Sequence, residues 1–515
     1  MNIKADLVLY NANVITLNSS MPRATLVAIC GNHIAAVGKD DILASICGPH
    51  TKCINCEGKT IVPGFNDAHC HPLSFATRLL NVDCSPTSAK SIPDIIAQIR
   101  RKAKDTPEGH WIRASAYNEF YLAEQRHPTR WDIDEATRKH PVRLSHRSGH
   151  ACVLNSMAME LAGISSETAE PDGGMFDRDL ETGEPNGILF GMNNQIQQLM
   201  PQIATNDFEK SIRIATQQYL SHGITSLQDA SWDDSSKRWQ TFKHLKENNR
   251  FPCRVSMMIG IESLEWFQER DYGPCEGDAN LRLGAVKIVV DRIRSSLNPP
   301  QEKLNAQVYK AHQLGFQVAL HAVEEITIKA AAVAIERAVK NHPRHGHRHR
   351  LEHCCVCPRH LAQQLKSIEV MVVTQPCFIY FNGERYIETV PHDQLEYIYS
   401  IGSLDRNDLL VASSSDSPIV PLNPLIGIYA AVTGKAETGQ ILSTHETISP
   451  QKALESYTLA GAYASFEESI KGSITCGKLA DLAILSDDPT SVPSEQIKKI
   501  QVVITIIDGK VVWNR

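Results

Sequence analysis

The segment IVPGFNDAHCH carries two histidines two positions apart, His69 and His71. Side chains alternate along an extended strand, so such a pair projects from one side and both imidazoles converge on one point. Four later segments end in groups able to bind a metal: Lys287 in VKIVVD, His321 in VALHA, His353 in RLEHC and Asp416 in SSSDSP. Each alone is an ordinary polar residue at a strand end. Five strand ends together, dominated by imidazole and carboxylate, point to a metal site. A nitrogen and oxygen donor set suits zinc or a similar borderline divalent metal, one or two per chain.

Positioning these groups requires strands whose ends meet. Apolar, β-branched runs recur at 61–69, 224–230, 254–260, 285–291, 316–322, 349–354, 369–375 and 408–416. Helical segments such as EKSIRIATQQYLSHG, LNAQVYKAHQLG and TIKAAAVAIERAVK lie between them. Near-continuous apolar strands alternating with helices indicate a parallel sheet buried on both faces. Eight of them predict an α/β fold, a (β/α)8 TIM-like barrel over 59–469, whose reactive groups come from the carboxyl ends of several strands. An open doubly wound sheet is the alternative, but no Gly-rich phosphate loop follows these strands. The connection after the first strand is too long for one loop, so an inserted subdomain over the active site is expected at 82–205. Helix-like pieces (SIPDIIAQIRRKAKD, CVLNSMAMELAG) and strand-like pieces (HWIRASAY, HPVRLSH) build it. The chain's two ends, 1–58 and 470–515, read as short strands with turn punctuation and are expected to meet as one small composite β-sandwich domain. Asp508-Gly509 between β-branched runs predicts a hairpin.

The chain has 515 residues, 42% hydrophobic and 21% charged, with formal net charge −6. This mild acidity argues against a nucleic-acid or anionic-membrane surface. No basic and apolar leader opens the sequence and no apolar run is long enough to span a bilayer. The fourteen cysteines follow no framework spacing, so reduced thiols and a cytoplasmic location are expected. The Cys354, Cys355, Cys357 cluster lacks a second thiol pair to complete a tetrahedral site.

The order His-x-His, Lys, His, His, Asp, with the tail TLAGAYASFEESIKGSITCGKLADLAILSDDP, resembles the amidohydrolase superfamily. The insertion's GG-x-F and G-x-P-x-G-x-L, Gly173 to Leu189, resembles its amidohydrolase-3 branch. That branch includes N-substituted formamide deformylase-type proteins. The resemblance spans nearly the whole chain. It implies that His69, His71 and Asp416 bind a first metal and His321 and His353 a second. It further implies that Lys287, carboxylated by carbon dioxide, bridges them. An ammonium has no lone pair for a cation, whereas a carbamate has two anionic oxygens. A plain lysine paired with Asp291 is the alternative. A metal-bound water then has its pKa lowered towards neutrality, and Asp416 takes its proton and passes it to the leaving amine. The implied function is hydrolysis of a non-peptide C–N bond in a small molecule. Hydrolysis of an ester, lactone or carbamate, deamination of a heterocycle, and a non-catalytic barrel scaffold are the competing readings. A homo-oligomer stays open.

Two loops depart from the branch: DRIRSSLNPP after Lys287 and VEEIT after His321. Weaker candidates for substrate binding are His150, Trp111, Tyr117 and Asp229. Core packing in the insertion is the competing reading for Trp111 and Tyr117, a capping or core role for His150, and a supporting place behind the metal ligands for Asp229. The tract HPRHGHRHR is a candidate metal-binding run that reads better as a solvated loop.

Overall fold

A computed structural model describes residues 4–171, 173–233, 235–293 and 296–515. Asp172 of the Gly-rich stretch and Arg294 and Ser295 of the loop after Lys287 lie outside the described residues. The chain divides into two compact units, Met1–Pro72 with Thr216–Arg515, and Leu73–Ala215.

The first unit holds eight parallel strands: β1 Phe65–Cys70, β2 Ile224–Asp229, β3 Arg254–Gly260, β4 Leu281–Val289, β5 Val318–Ala322, β6 Arg350–His353, β7 Met371–Thr374 and β8 Val411–Ser413. They hydrogen-bond in sequence order as one nearly closed barrel sheet. Strands β2 and β3 are buried at every position, as expected where helices cover one face and barrel side chains fill the other. Past the end of β8 the chain is tied to β1 by single hydrogen bonds. The Asp416 N–H donates to the His69 carbonyl at 2.8 Å and the His71 N–H to the Ser417 carbonyl at 2.8 Å. The Asp67 carboxylate accepts from the Ser415 N–H at 3.0 Å.

The first expected strand, 61–69, divides at Gly64. Thr60–Pro63 pairs with Leu482–Leu485 in a different sheet, and only Phe65–Cys70 enters the barrel. A Cβ on Gly64 would lie 2.2 Å from the Thr225 hydroxyl, so only glycine lets the chain change sheets there. The segment CVLNSMAMELAG is also not one helix. Its apolar start is the strand Ala151–Leu154, and Asn155 caps the short helix Ser156–Leu161 by accepting from the Ala158 N–H.

The two ends of the chain share one six-stranded sheet. In it Asn13–Ile15, Arg23–Ala24 and Thr60–Pro63 join Leu482–Leu485, Val502–Ile507 and Lys510–Asn514. The last two form the Asp508-Gly509 hairpin, with φ of 51° and 70° at its corner, the signs such a tight turn needs. A second, four-stranded sheet contains Leu7–Tyr10, Leu26–Cys30, His33–Gly38 and Lys52–Asn55. One apolar cluster takes Leu7 and Val27 from the latter and Ile61 and Leu482 from the former. At the foot of β3 the buried Arg254 donates to Asp481 at 2.5 and 2.9 Å and to Asp508 at 2.6 Å, joining barrel to C-terminal strands with every charge paired.

The second unit has its own six-stranded sheet and a core in which Ile95 and Ile99 of helix Ile92–Lys104 meet Ile112, Tyr117 and Val142. Among the described residues no helix is long and apolar enough to cross a membrane.

Candidate metal centre

His69, on β1, is buried. Its Nδ1–H donates to the carboxylate of Glu352 on β6, and its Nε2 stands 3.6 Å from Asp416 Oδ1. His71 places Nε2 3.1 Å from the same oxygen and Nδ1 3.0 Å from the Ser231 hydroxyl. His353 ends β6, with Nδ1 2.8 Å from the Gln375 amide oxygen. Its ring lies 4.8 Å from that of His69 and 4.5 Å from that of His321 on β5. Ligand atoms of His69, His353 and Asp416 all lie within 4.8 Å of one another. His353 and Asp416 both have left-handed backbone, with φ of 71° and 55°. Such strain in non-glycine residues persists where the surroundings hold it, commonly at functional sites.

The partners dictate the tautomers. Glu352 and the Gln375 oxygen are acceptors, so His69 and His353 carry their protons on Nδ1. Ser231 gives its single hydroxyl proton to Asp229 Oδ1 at 2.6 Å, so it accepts from His71 Nδ1–H. Each of these imidazoles therefore turns a bare Nε2 inward. On His69 and His71 that lone pair faces an Asp416 oxygen, acceptor against acceptor, which is repulsive unless a cation lies between. Ligands about 2.0–2.2 Å from a tetrahedral metal stand roughly 3.3 Å apart, which brackets well with 3.1 and 3.6 Å. The residues fit a divalent metal.

Lys287, on β4, adds a second indication. It is buried, and its Nζ has no hydrogen-bond partner among the described residues. Burial lowers its pKa to about 8 against the opposing pull of Glu352 and Asp416. Asp291 is exposed and accepts from the Arg292 N–H, so the alternative pairing with Lys287 does not form. Burial likewise lowers His69 to about 3 and lowers His353.

A family model described as the amidohydrolase family matches residues 52–513. The chain belongs to the amidohydrolase family. This amidohydrolase is an enzyme of the metal-dependent class. It is 28% identical over 540 residues to the N-substituted formamide deformylase of Arthrobacter pascens, covering 99% of this chain and 98% of that one. Its fold is similar to that of a metal-dependent hydrolase from Pyrococcus horikoshii, with TM-score 0.75 and 22% identity over 95% of this chain and 99% of the other. A counterpart from Pyrococcus furiosus gives TM-score 0.72 and 23% identity over 94% and 100%.

The remaining candidates of the amidohydrolase divide by unit. Asp229 ends β2, fully buried behind His71 through Ser231. In the second unit Tyr117 is a core residue whose hydroxyl meets His127 Nδ1 at 3.0 Å, and Trp111 packs on the Cys152 and Leu154 cluster. His150 is exposed on the turn before Ala151–Leu154. The His-rich tract is a solvated loop only in its first half, where His342, Pro343, His345 and Gly346 are exposed. His347 and His349 are buried, because His349 accepts from the Val318 N–H at 3.0 Å and meets His312 Nδ1 at 2.7 Å. Cys354, Cys355 and Cys357 are also buried, and burial raises the Cys355 thiol to about 12. Sequence reasoning missed Glu352, Gln375 and Ser231. For Glu352 the signal was there: Arg350 and Glu352 alternate with Leu351 on β6, so a charged pair faces the barrel interior.

Proposed function

We propose that this amidohydrolase hydrolyses a non-peptide, amide-type C–N bond of a small molecule. The observation that carries the reading is the convergence of bare His69 and His71 nitrogens on the Asp416 carboxylate. His69, His71 and Asp416 would hold one metal, and His321 and His353 a second. Lys287 would serve both sets as a carbamate. Its buried, unpartnered amine reacts with carbon dioxide to give the carbamate and a proton, which replaces a poorly placed cation with an anionic donor. When bound, the metal supplies Lewis acidity, which acidifies a water and polarises a carbonyl. Asp416 turns its second oxygen towards His353, 4.0 Å from Nδ1. It takes the proton of the attacking water and delivers it to the departing nitrogen. Glu352, Ser231 and Gln375 hold the three imidazoles in the tautomer the site needs. Zinc suits this donor set, and the reduced, mostly buried thiols suit the cytoplasm.

The similar deformylase makes N-substituted formamides the first substrates to test. The experiment is a screen of metal-loaded protein against formamides, N-acyl amines, carbamates and lactones. Turnover led by the formamide or N-acyl set supports the reading. Turnover confined to lactones, esters or aminated heterocycles overturns the bond assignment.

A further inference from the structure

We propose that Cys47 and Cys53 form a reversible redox site, closing to an intramolecular disulfide when low-molecular-weight disulfides accumulate. Their sulfurs lie 3.3 Å apart. Cys53 is exposed and Cys47 half-exposed, so a small reagent reaches both. Among the described residues no other accessible cysteine has a sulfur neighbour, and the adjacent thiols of Cys354 and Cys357 are buried.

The local chain builds this proximity. Cys47 ends the short helix Leu43–Ile46, its N–H donating to the Leu43 carbonyl. Cys53 lies on the edge strand Lys52–Asn55, in register with Val8. The turn between them is closed by the Thr51 N–H donating to the Gly48 carbonyl at 3.2 Å and by the Gly48 N–H donating to Thr51 Oγ1 at 2.8 Å. It is anchored by Thr51 Oγ1 donating to the Ala5 carbonyl and by Lys4 Nζ donating to the Cys47 carbonyl at 2.9 Å. Bonding needs the sulfurs to move from 3.3 Å to about 2.05 Å, within reach of side-chain rotation. The entropy of bringing the ends together is already spent on the turn.

The chemistry is thiol–disulfide exchange. One cysteine thiolate attacks RS–SR, forming a mixed disulfide and expelling RS−. The second thiolate attacks the protein sulfur of that adduct, forming the Cys47–Cys53 bond and expelling another RS−. The two protons lost by the protein end on two RSH, so the protein is oxidised by two electrons and the small disulfide reduced by two. In a reducing compartment the pair stays open, and it reports a rise in the disulfide pool.

The test equilibrates full-length, metal-loaded protein in buffers of reduced and oxidised glutathione at mildly alkaline pH, followed by acid quench and tryptic mass mapping. Cleavage at Lys39, Lys52 and Lys59 puts Cys47 and Cys53 on separate peptides, the latter with Cys56. The expected product joins these peptides with loss of two hydrogens, the ratio of cross-linked to reduced protein rising with oxidised glutathione divided by the square of reduced glutathione. It disappears in Cys53→Ser, persists in Cys56→Ser, and reverses fully on reduction. Cys47→Ser should keep metal content and turnover, since neither sulfur belongs to the metal centre. Glutathione adducts without a cross-link, a first-power dependence on reduced glutathione, a link through Cys56, or no reaction at all would each overturn the proposal.

Discussion

The Nδ1–H of His69 is held by the carboxylate of Glu352, and Glu352 in turn by the Arg350 guanidinium, all three fully buried. Burial opposes the charge on Glu352, but Arg350 and His69 keep it well below its ordinary range, so it is a lasting anchor for the His69 proton. Removing such a partner typically costs 10–100-fold in metal affinity. Glu352→Ala should therefore weaken metal binding by about that factor in chelator competition, while Glu352→Gln, which keeps an acceptor, should lose less. Equal affinity in all three proteins would remove Glu352 from this role.

Lys287 is expected to carry a carboxyl group. Intact-mass or carbon-13 measurements on protein loaded under labelled bicarbonate should show it, and Lys287→Ala should lower both metal content and turnover. Short carboxylic acids added to that variant should restore part of each. A free amine at 287 in the fully active enzyme would refute the carbamate.

Asp416→Asn preserves shape but accepts no proton. Its kcat should fall by roughly a hundredfold or more, the usual worth of positioned acid–base catalysis, and metal content should be compared in the same preparation to separate proton transfer from ligation. Unchanged kcat would take the shuttle role from Asp416.

The imidazoles of His312, His347 and His349 predict an acid-sensitive fold. Burial, with neighbouring imidazoles and Arg344, lowers His347 to about 4 and holds His349 well below its ordinary value, and burial lowers His312 too. Besides one another these rings meet Arg344, the His342 carbonyl and the field of Glu369. A depressed folded pKa means the unfolded chain binds more protons. This stability is complete above the unfolded value of about 6.5 and falls with decreasing pH by about 1.4 kcal/mol per unit for each imidazole that must charge. For His347 the loss runs down to about pH 4. Tm should drop steadily from pH 7 to pH 5. His349→Gln can accept from Val318 N–H and donate to His312 without titrating, so its Tm should fall less steeply. An identical slope would place acid sensitivity elsewhere.

How much of this was legible in the sequence depended on periodicity. All eight barrel segments overlap a barrel strand, because doubly buried strands leave near-continuous apolar runs such as Arg254–Gly260. His69, His71 and Asp416 were readable as ligand types at strand ends, while their grouping as one set rested on the family resemblance. The split at Gly64 was not, since the cause is a close approach to Thr225, far along the chain. The burial of His347 and His349 depends on His312, a helix residue, and local composition alone suggested solvent. Glu352, Gln375 and Ser231 belong to the site through partners on other strands, which no spacing reveals.

The central claim is that a divalent metal lies between His69, His71 and Asp416, and its most direct test is elemental analysis of the purified protein beside the His69→Ala, His71→Ala double variant. The account predicts roughly one to two divalent ions per chain, depleted in the variant, with hydrolysis lost on chelation and restored by adding metal back. Turnover by metal-free wild type, or a double variant that keeps both its metal and its rate, would contradict it.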